Sequence, residues 1–94
     1  MLTLEEFQLR LDVNASTVQA WIEEGWLLPQ REQAGFAFSE LDVARARLIR
    51  DLKDEIGVND EGIGIVLNLI DQVHGLRSVL RELLHAGAGR PPGP

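Results

Sequence analysis

Apolar positions fall into four helical stripes, with one short alternating segment between the second and third. Leu4, Phe7 and Leu11 follow Thr3 and Glu6, which fit a capping box, and together they predict a first helix of about two turns. Asp12, Val13 and Asn14 break the pattern. Asn14 is placed to cap a second helix carrying Val18, Trp21 and Ile22, which Gly25 ends and Pro29 keeps from resuming. Two helices joined by so tight a turn form a helix-turn-helix, and neither is long enough to be stable until it docks on a later element. Leu27 and Leu28 are separated from Phe36, Ala37 and Phe38 by polar residues and Gly35, which predicts a small two-stranded hairpin, or wing. Ser39 and Asp42 then open a third helix, with Leu41, Ala44, Leu48, Leu52 and Ile56 as its expected buried stripe and Gly57 as its stop. Arg45 is expected to snorkel from the rim of that stripe, and Arg47, Arg50 and Lys53 to form a solvated face with Asp51 and Asp54.

Asn59 is placed to cap a fourth helix from about Asp60 to Leu84, on which two apolar faces can be traced. Ile63, Leu67 and Ile70 suit the chain's own core. Val66, Leu69, Val73, Leu76, Leu80 and Leu83 alternate at three and four residues in an a/d heptad, and no other segment remains to cover them. A homodimer through this helix is therefore expected. Gly62, Gly64 and Gly75 each weaken it by about 1 kcal/mol relative to Ala, which reads either as close backbone approach or as fraying. The domain organisation that follows is a helix-turn-helix with wing and platform helix over 1–57, a helix for core packing and dimerisation over 58–85, and a disordered Gly/Pro tail over 86–94.

The chain has 94 residues and 45% apolar side chains, enough for one small domain and its appendages. It has no cysteine and two histidines, which excludes disulfides and thiolate sites and leaves too little for a typical zinc site. No apolar run approaches a membrane span, and the acidic, amphipathic start does not resemble a signal peptide, so a cytoplasmic address is expected. No Ser/His/Asp set or phosphate-binding loop is found, and Gly62-Ile63-Gly64 lacks a preceding strand. Neither catalysis nor a cofactor is expected.

Charge sharpens the functional choice. The net charge is −6, and residues 1–30 alone carry −4, with Arg10 as their one basic side chain. A reader of duplex DNA needs cations where it meets phosphate, so nucleic acid is an unlikely partner and a basic protein surface a better one. Candidate partner-binding residues are Glu23 and Glu24, Asp51, Asp54 and Glu55, and Asp60 and Glu61. Glu23 and Glu24 rank first because they lie at a helix end where the macrodipole disfavours them, whereas Asp60 and Glu61 suit a helix start. Trp26, just past Gly25, reads as either a staple or an exposed interface anchor, and Trp21 as core.

The order of helix-turn-helix, wing, platform helix and terminal dimerisation helix resembles the MerR family, which implies a mainly all-α, MerR-like winged helix-turn-helix. In that family the second helix ends in an Arg-Tyr-Tyr-Glu-like run and the wing is basic. The matching positions here are Gln19, Ala20, Trp21, Ile22 and Glu23, and the wing offers only Arg31. In detail LTLEEFQLRLDVNASTVQAWIEEGWLLP, FAFSELDVARARLIRDLKDEIGVNDEGIGIVLNLID and the leucine-bearing helix after them resemble the CbpM chaperone modulators over about residues 2–84, the GVNDEGIGIVLNLIDQV portion being the more specific. The resemblance implies a modulator that binds the J-domain of a CbpA/DnaJ-like co-chaperone and tunes its action on DnaK. A MerR-like DNA-binding transcriptional regulator is the alternative.

Overall fold

A computed structural model of the chain describes residues 1–88. Helix α1 spans Leu4–Leu11, α2 Ala15–Glu23, strands β1 and β2 Gln30–Glu32 and Gly35–Ala37, α3 Glu40–Arg50 and α4 Asp60–Ala88. Two compact units divide the chain, the first being Met1–Ile63 and the second beginning at Gly64.

The first helix starts as the sequence predicts. Glu6 N–H donates to Thr3 Oγ1 at 3.2 Å and Thr3 N–H to Glu6 Oε1 at 3.0 Å, closing a reciprocal capping box. Asp12, at φ 54, turns the chain left-handed out of α1, and Asn14 Oδ1 accepts from Thr17 N–H at 2.8 Å to open α2. Gly25, at φ 77, lets Trp26 N–H fold back to the Trp21 carbonyl at 2.9 Å, closing the last turn of α2.

The wing is a two-stranded antiparallel hairpin pairing Gln30 with Ala37, Arg31 with Phe36 and Glu32 with Gly35. Leu2 extends it through two 2.8 Å backbone bonds to Phe38. That bridge sets Phe38 on Phe7, with ring centroids 4.2 Å apart and planes 18° off parallel, and so couples the hairpin to α1. Phe7, Leu11, Val18, Trp21, Leu27, Phe38, Val43, Ala46 and Ile49 form the buried core of this unit.

Helix α3 is a platform, but not on its expected face. Leu41 and Ile56 are 63% and 70% exposed, Ala44 is exposed and Leu48 half-buried, whereas Val43, Ala46, Ile49 and Leu52 are buried. Of the expected stripe Leu52 alone is core, and the buried face lies about a third of a turn away. Directed polar contacts fix this rotation. Asp42 is buried as the return half of the second capping box, accepting from Ser39 N–H at 2.9 Å. On the same side Arg45 Nε donates to the Trp26 carbonyl at 2.8 Å, and Arg50 donates to the Leu11 carbonyl. Arg50 is thus half-buried at the end of α1 and not part of a solvated face.

Past Arg50 the helix widens into a π-helical turn, Asp51–Ile56, which Gly57 ends at φ 80. Asn59 caps α4 as expected, its Oδ1 accepting from Gly62 N–H at 2.8 Å. A Cβ on Gly62 would fall 2.6 Å from Val58 Cγ1, so this glycine serves close approach and not fraying. Ile63 and Leu67 are buried and Ile70 is half-buried. The helix extends to Ala88, beyond the expected Leu84. From residue 89 on, the segment expected to be a disordered tail lies outside the described residues.

The capping box at Thr3 makes a pH-dependent contribution. Backbone and then side-chain hydrogen bonds from Thr3 hold the Glu6 carboxyl below the usual glutamate pKa. The contribution is therefore present above that usual value and is lost as pH falls through the depressed one. Thr3→Ala should cost about 1 kcal/mol of stability at neutral pH, and carboxyl NMR titration should show the Glu6 midpoint moving up.

Candidate partner-binding surfaces

In a helix-turn-helix the second helix presents its outer face to a ligand, and that face is built from every third or fourth residue of α2. Here it consists of Ala15, Ser16, Gln19, Ala20 and Glu23, all exposed, while Val18 and Trp21 face the core. Gln19 Nε2 reaches Glu23 Oε1 at 3.4 Å. The face carries hydroxyl, amide and carboxylate groups, and no cation.

Elsewhere in Met1–Ile63 the cations are mostly committed within the unit. Residues 1–63 hold six basic and thirteen acidic side chains, a balance of −7. Arg10 makes a bidentate pair with Glu40 at 3.0 and 2.9 Å, linking α1 to the start of α3. Arg45 and Arg50 are spent on carbonyls. Lys53 Nζ pairs with Asp60 Oδ1 at 3.1 Å, and the Arg31 guanidinium lies 5.5 Å from the Phe36 ring centroid. Arg47 is exposed on α3. Phosphate neutralisation requires cations that can leave water for the nucleic acid, and most of these already have acceptors.

The acidic candidates are exposed, and one of them, Asp60, is joined through Lys53 to Trp26. Glu23 and Glu24 stand at the end of α2, Asp51, Asp54 and Glu55 on the π-helical turn, and Asp60 and Glu61 on the first turn of α4. Two residues past Glu24, the Trp26 ring centroid is 6.0 Å from Lys53 Nζ, and Lys53 in turn reaches Asp60. One chain of contacts therefore runs from the end of α2, across the π-helical turn, to the start of α4. Sequence reasoning missed Lys53 as the centre of this chain because Trp26 lies far off in sequence and Asp60 lies beyond the Gly57 stop, so no helical periodicity signals either.

Trp26 itself is 5% exposed. Its indole is a core staple, and the interface-anchor reading is corrected by that burial. The six heptad residues of α4 behave differently. Val73, Leu69, Leu80, Leu83 and Leu76 are 45, 54, 55, 65 and 70% exposed, and Val66 is half-buried. A continuous apolar seam of this length on a single helix requires cover.

These elements define a winged helix-turn-helix: two short helices in a tight turn, a two-stranded wing, a platform helix and a long terminal helix. The sequence profile described as MerR HTH family regulatory protein matches residues 2–85, and the chain belongs to that family. No curated protein and no solved structure matches the chain. It is a MerR-type regulator, and no helix among its described residues is long and apolar enough to cross a membrane.

Because α2 offers no cation, binding of this chain to duplex DNA should be weak and insensitive to sequence at physiological salt. Gel shifts with its own promoter should show no discrete complex below about micromolar protein, the range of non-specific contacts. A salt-sensitive nanomolar complex with one site would contradict this.

Proposed function

We propose that this regulator works by binding protein, as a cytoplasmic modulator that covers the basic J-domain helix of a CbpA/DnaJ-like co-chaperone and so tunes its action on DnaK. The observation that carries this reading is the charge of Met1–Ile63, −7 in total with its cations largely held by internal acceptors. Such a surface steers a basic partner and repels phosphate. The resemblance to CbpM modulators supplies the identity of the partner. The family match favours a second reading, a DNA-binding transcriptional regulator, because the fold that matches is a helix-turn-helix.

A homodimer through α4 belongs to the same proposal. The seam residues are spaced three, four, three, four, three, which is symmetric about the midpoint between His74 and Gly75. An antiparallel pair would set Val66 against Leu83, Leu69 against Leu80 and Val73 against Leu76. Parallel pairing also matches apolar residues, but it would bring two units of −7 to one end. Antiparallel pairing separates the starts of the two seams by about 25 Å at ~1.5 Å per residue, two to three times the ~8–10 Å screening length.

Calorimetry with the cognate J-domain should detect binding that weakens with salt, mainly through the on-rate. Reversing Glu23 and Glu24 to Lys should weaken it more than reversing Asp60 and Glu61, since Asp60 is already paired with Lys53. Excess modulator should also suppress J-domain stimulation of the DnaK ATPase. Absence of both heat and competition would leave the DNA-binding reading. In sedimentation the wild-type chain should be a dimer at tens of micromolar, and Leu76→Glu with Leu80→Glu a monomer or an unfolded chain.

A further inference from the structure

The wing leaves a strand edge open where the start of the chain turns away from it. Leu2 and Phe38 exchange both of their backbone hydrogen bonds, at 2.8 Å each, so the N–H and C=O of Phe38 point away from β1 and toward the N-terminal segment. Backbone groups two residues apart on a strand point the same way. The hairpin register agrees: Gln30 with Ala37 and Glu32 with Gly35 are the bonded pairs on either side of Arg31 and Phe36, which lie opposite each other without bonding. The N–H and C=O of Phe36 therefore face the same edge as those of Phe38. Leu2 does not reach them, because the capping box at Thr3 starts α1 at Leu4 and takes the chain out of the sheet. Among the described residues neither group has a partner across that edge.

Between this edge and the departing N-terminal segment lies a cleft of about 660 Å³, lined among others by Leu2, Leu4, Glu5, Glu32 and Phe36. That is the size of a binding site. Leu2, Leu4 and Phe36 are half-buried and offer an apolar floor, Glu5 and Glu32 are exposed, and no Lys, Arg or His side chain lines the cleft. An open edge accepts main chain as an added strand, and the side chains beside it select which segment binds. Here they select cationic residues alternating with apolar ones, and the −7 of the surrounding unit steers the same choice. The opposite edge is different. There β1 follows Pro29 and presents Arg31, both of which guard an edge against pairing.

We propose that this cleft is the seat of an extended, basic segment of a partner protein, which pairs with Phe36 as an added strand, sets apolar side chains on Leu2 and Leu4 and brings cationic ones beside Glu5 and Glu32. The seat stands apart from the co-chaperone reading, which assigns a basic helix to the acidic surface, and does not depend on it.

The test is amide NMR on the full chain, with the end-capped pentapeptide Val-Lys-Val-Lys-Val as probe. In the free protein the Phe36 amide should exchange with solvent far faster than those of Ala37 and Phe38, which are bonded within the sheet. Added peptide should give saturable shifts centred on Gly35 and Phe36 and slow exchange at Phe36. Its fully N-methylated form, equally charged but with no N–H to donate, should bind many-fold more weakly, as should Val-Glu-Val-Glu-Val. Glu5→Lys and Glu32→Lys should each weaken binding several-fold in a salt-dependent way, and Glu55→Lys on the π-helical turn should weaken it less. Glu32 lies on the exposed wing, so its reversal leaves the fold intact and the amide spectrum shows this. A Phe36 amide already protected in the free chain, shifts centred on α2 or α4, equal binding of the methylated peptide, or indifference to both reversals would each overturn the seat. So would the absence of saturable shifts, an outcome that leaves the co-chaperone reading to its own calorimetry.

Discussion

The first unit depends on two arginines of α3 that reach back to the carbonyl ends of earlier elements. Helices of eight and nine residues cannot sustain themselves and depend on contacts with later elements. Arg50 donates to the Leu11 carbonyl at the end of α1, and Arg45 to the Trp26 carbonyl in the turn that follows α2. At the end of α1 the Arg50 guanidinium satisfies a terminal carbonyl and complements the dipole, and Arg45 pins the chain three residues past α2. Their placement also fixes which side of α3 faces inward, so Val43, Ala46 and Ile49 become core while Leu41 remains in water.

The same contacts shape what the surface can recognise. The Arg45 and Arg50 guanidinium groups are each bound to a carbonyl, and Arg10 and Lys53 make exposed pairs with Glu40 and Asp60. What remains exposed is predominantly acidic. The helix-turn-helix architecture is thus combined with an outer face on α2 that carries hydroxyl, amide and carboxylate groups and no cation. Helix α4 contributes a different kind of surface, where apolar seam residues are 45–70% exposed, a cationic flank carries Arg77 and Arg81, and the remaining flank carries Gly75 and Glu82.

Local chemistry was legible in the sequence by itself. The capping boxes at Thr3/Glu6 and Ser39/Asp42, the caps at Asn14 and Asn59, the left-handed stops at Gly25 and Gly57, the hairpin around Gly35 and the amphipathic stripes of α1, α2 and α4 each depend on residues three or four apart. Neighbours in sequence are neighbours in space within a helical turn, so pattern alone decides them. The winged helix-turn-helix follows from their order.

Tertiary structure alone decided the face of α3, the burial of Trp26 and the roles of Arg45, Arg50 and Lys53. A stripe drawn through the large aliphatics of α3 misses that small Ala46 is core and that two arginines anchor the helix over separations of 19 and 39 residues. Trp26 suits a staple or an anchor equally by its place after Gly25, and only the packed unit shows its ring enclosed. The π-helical turn at Asp51–Ile56 is likewise absent from the pattern, since its residues suit an α-helix equally well. Hydrogen bonds over such distances depend on where two chain segments meet in space, and periodicity along a single segment carries no record of that meeting.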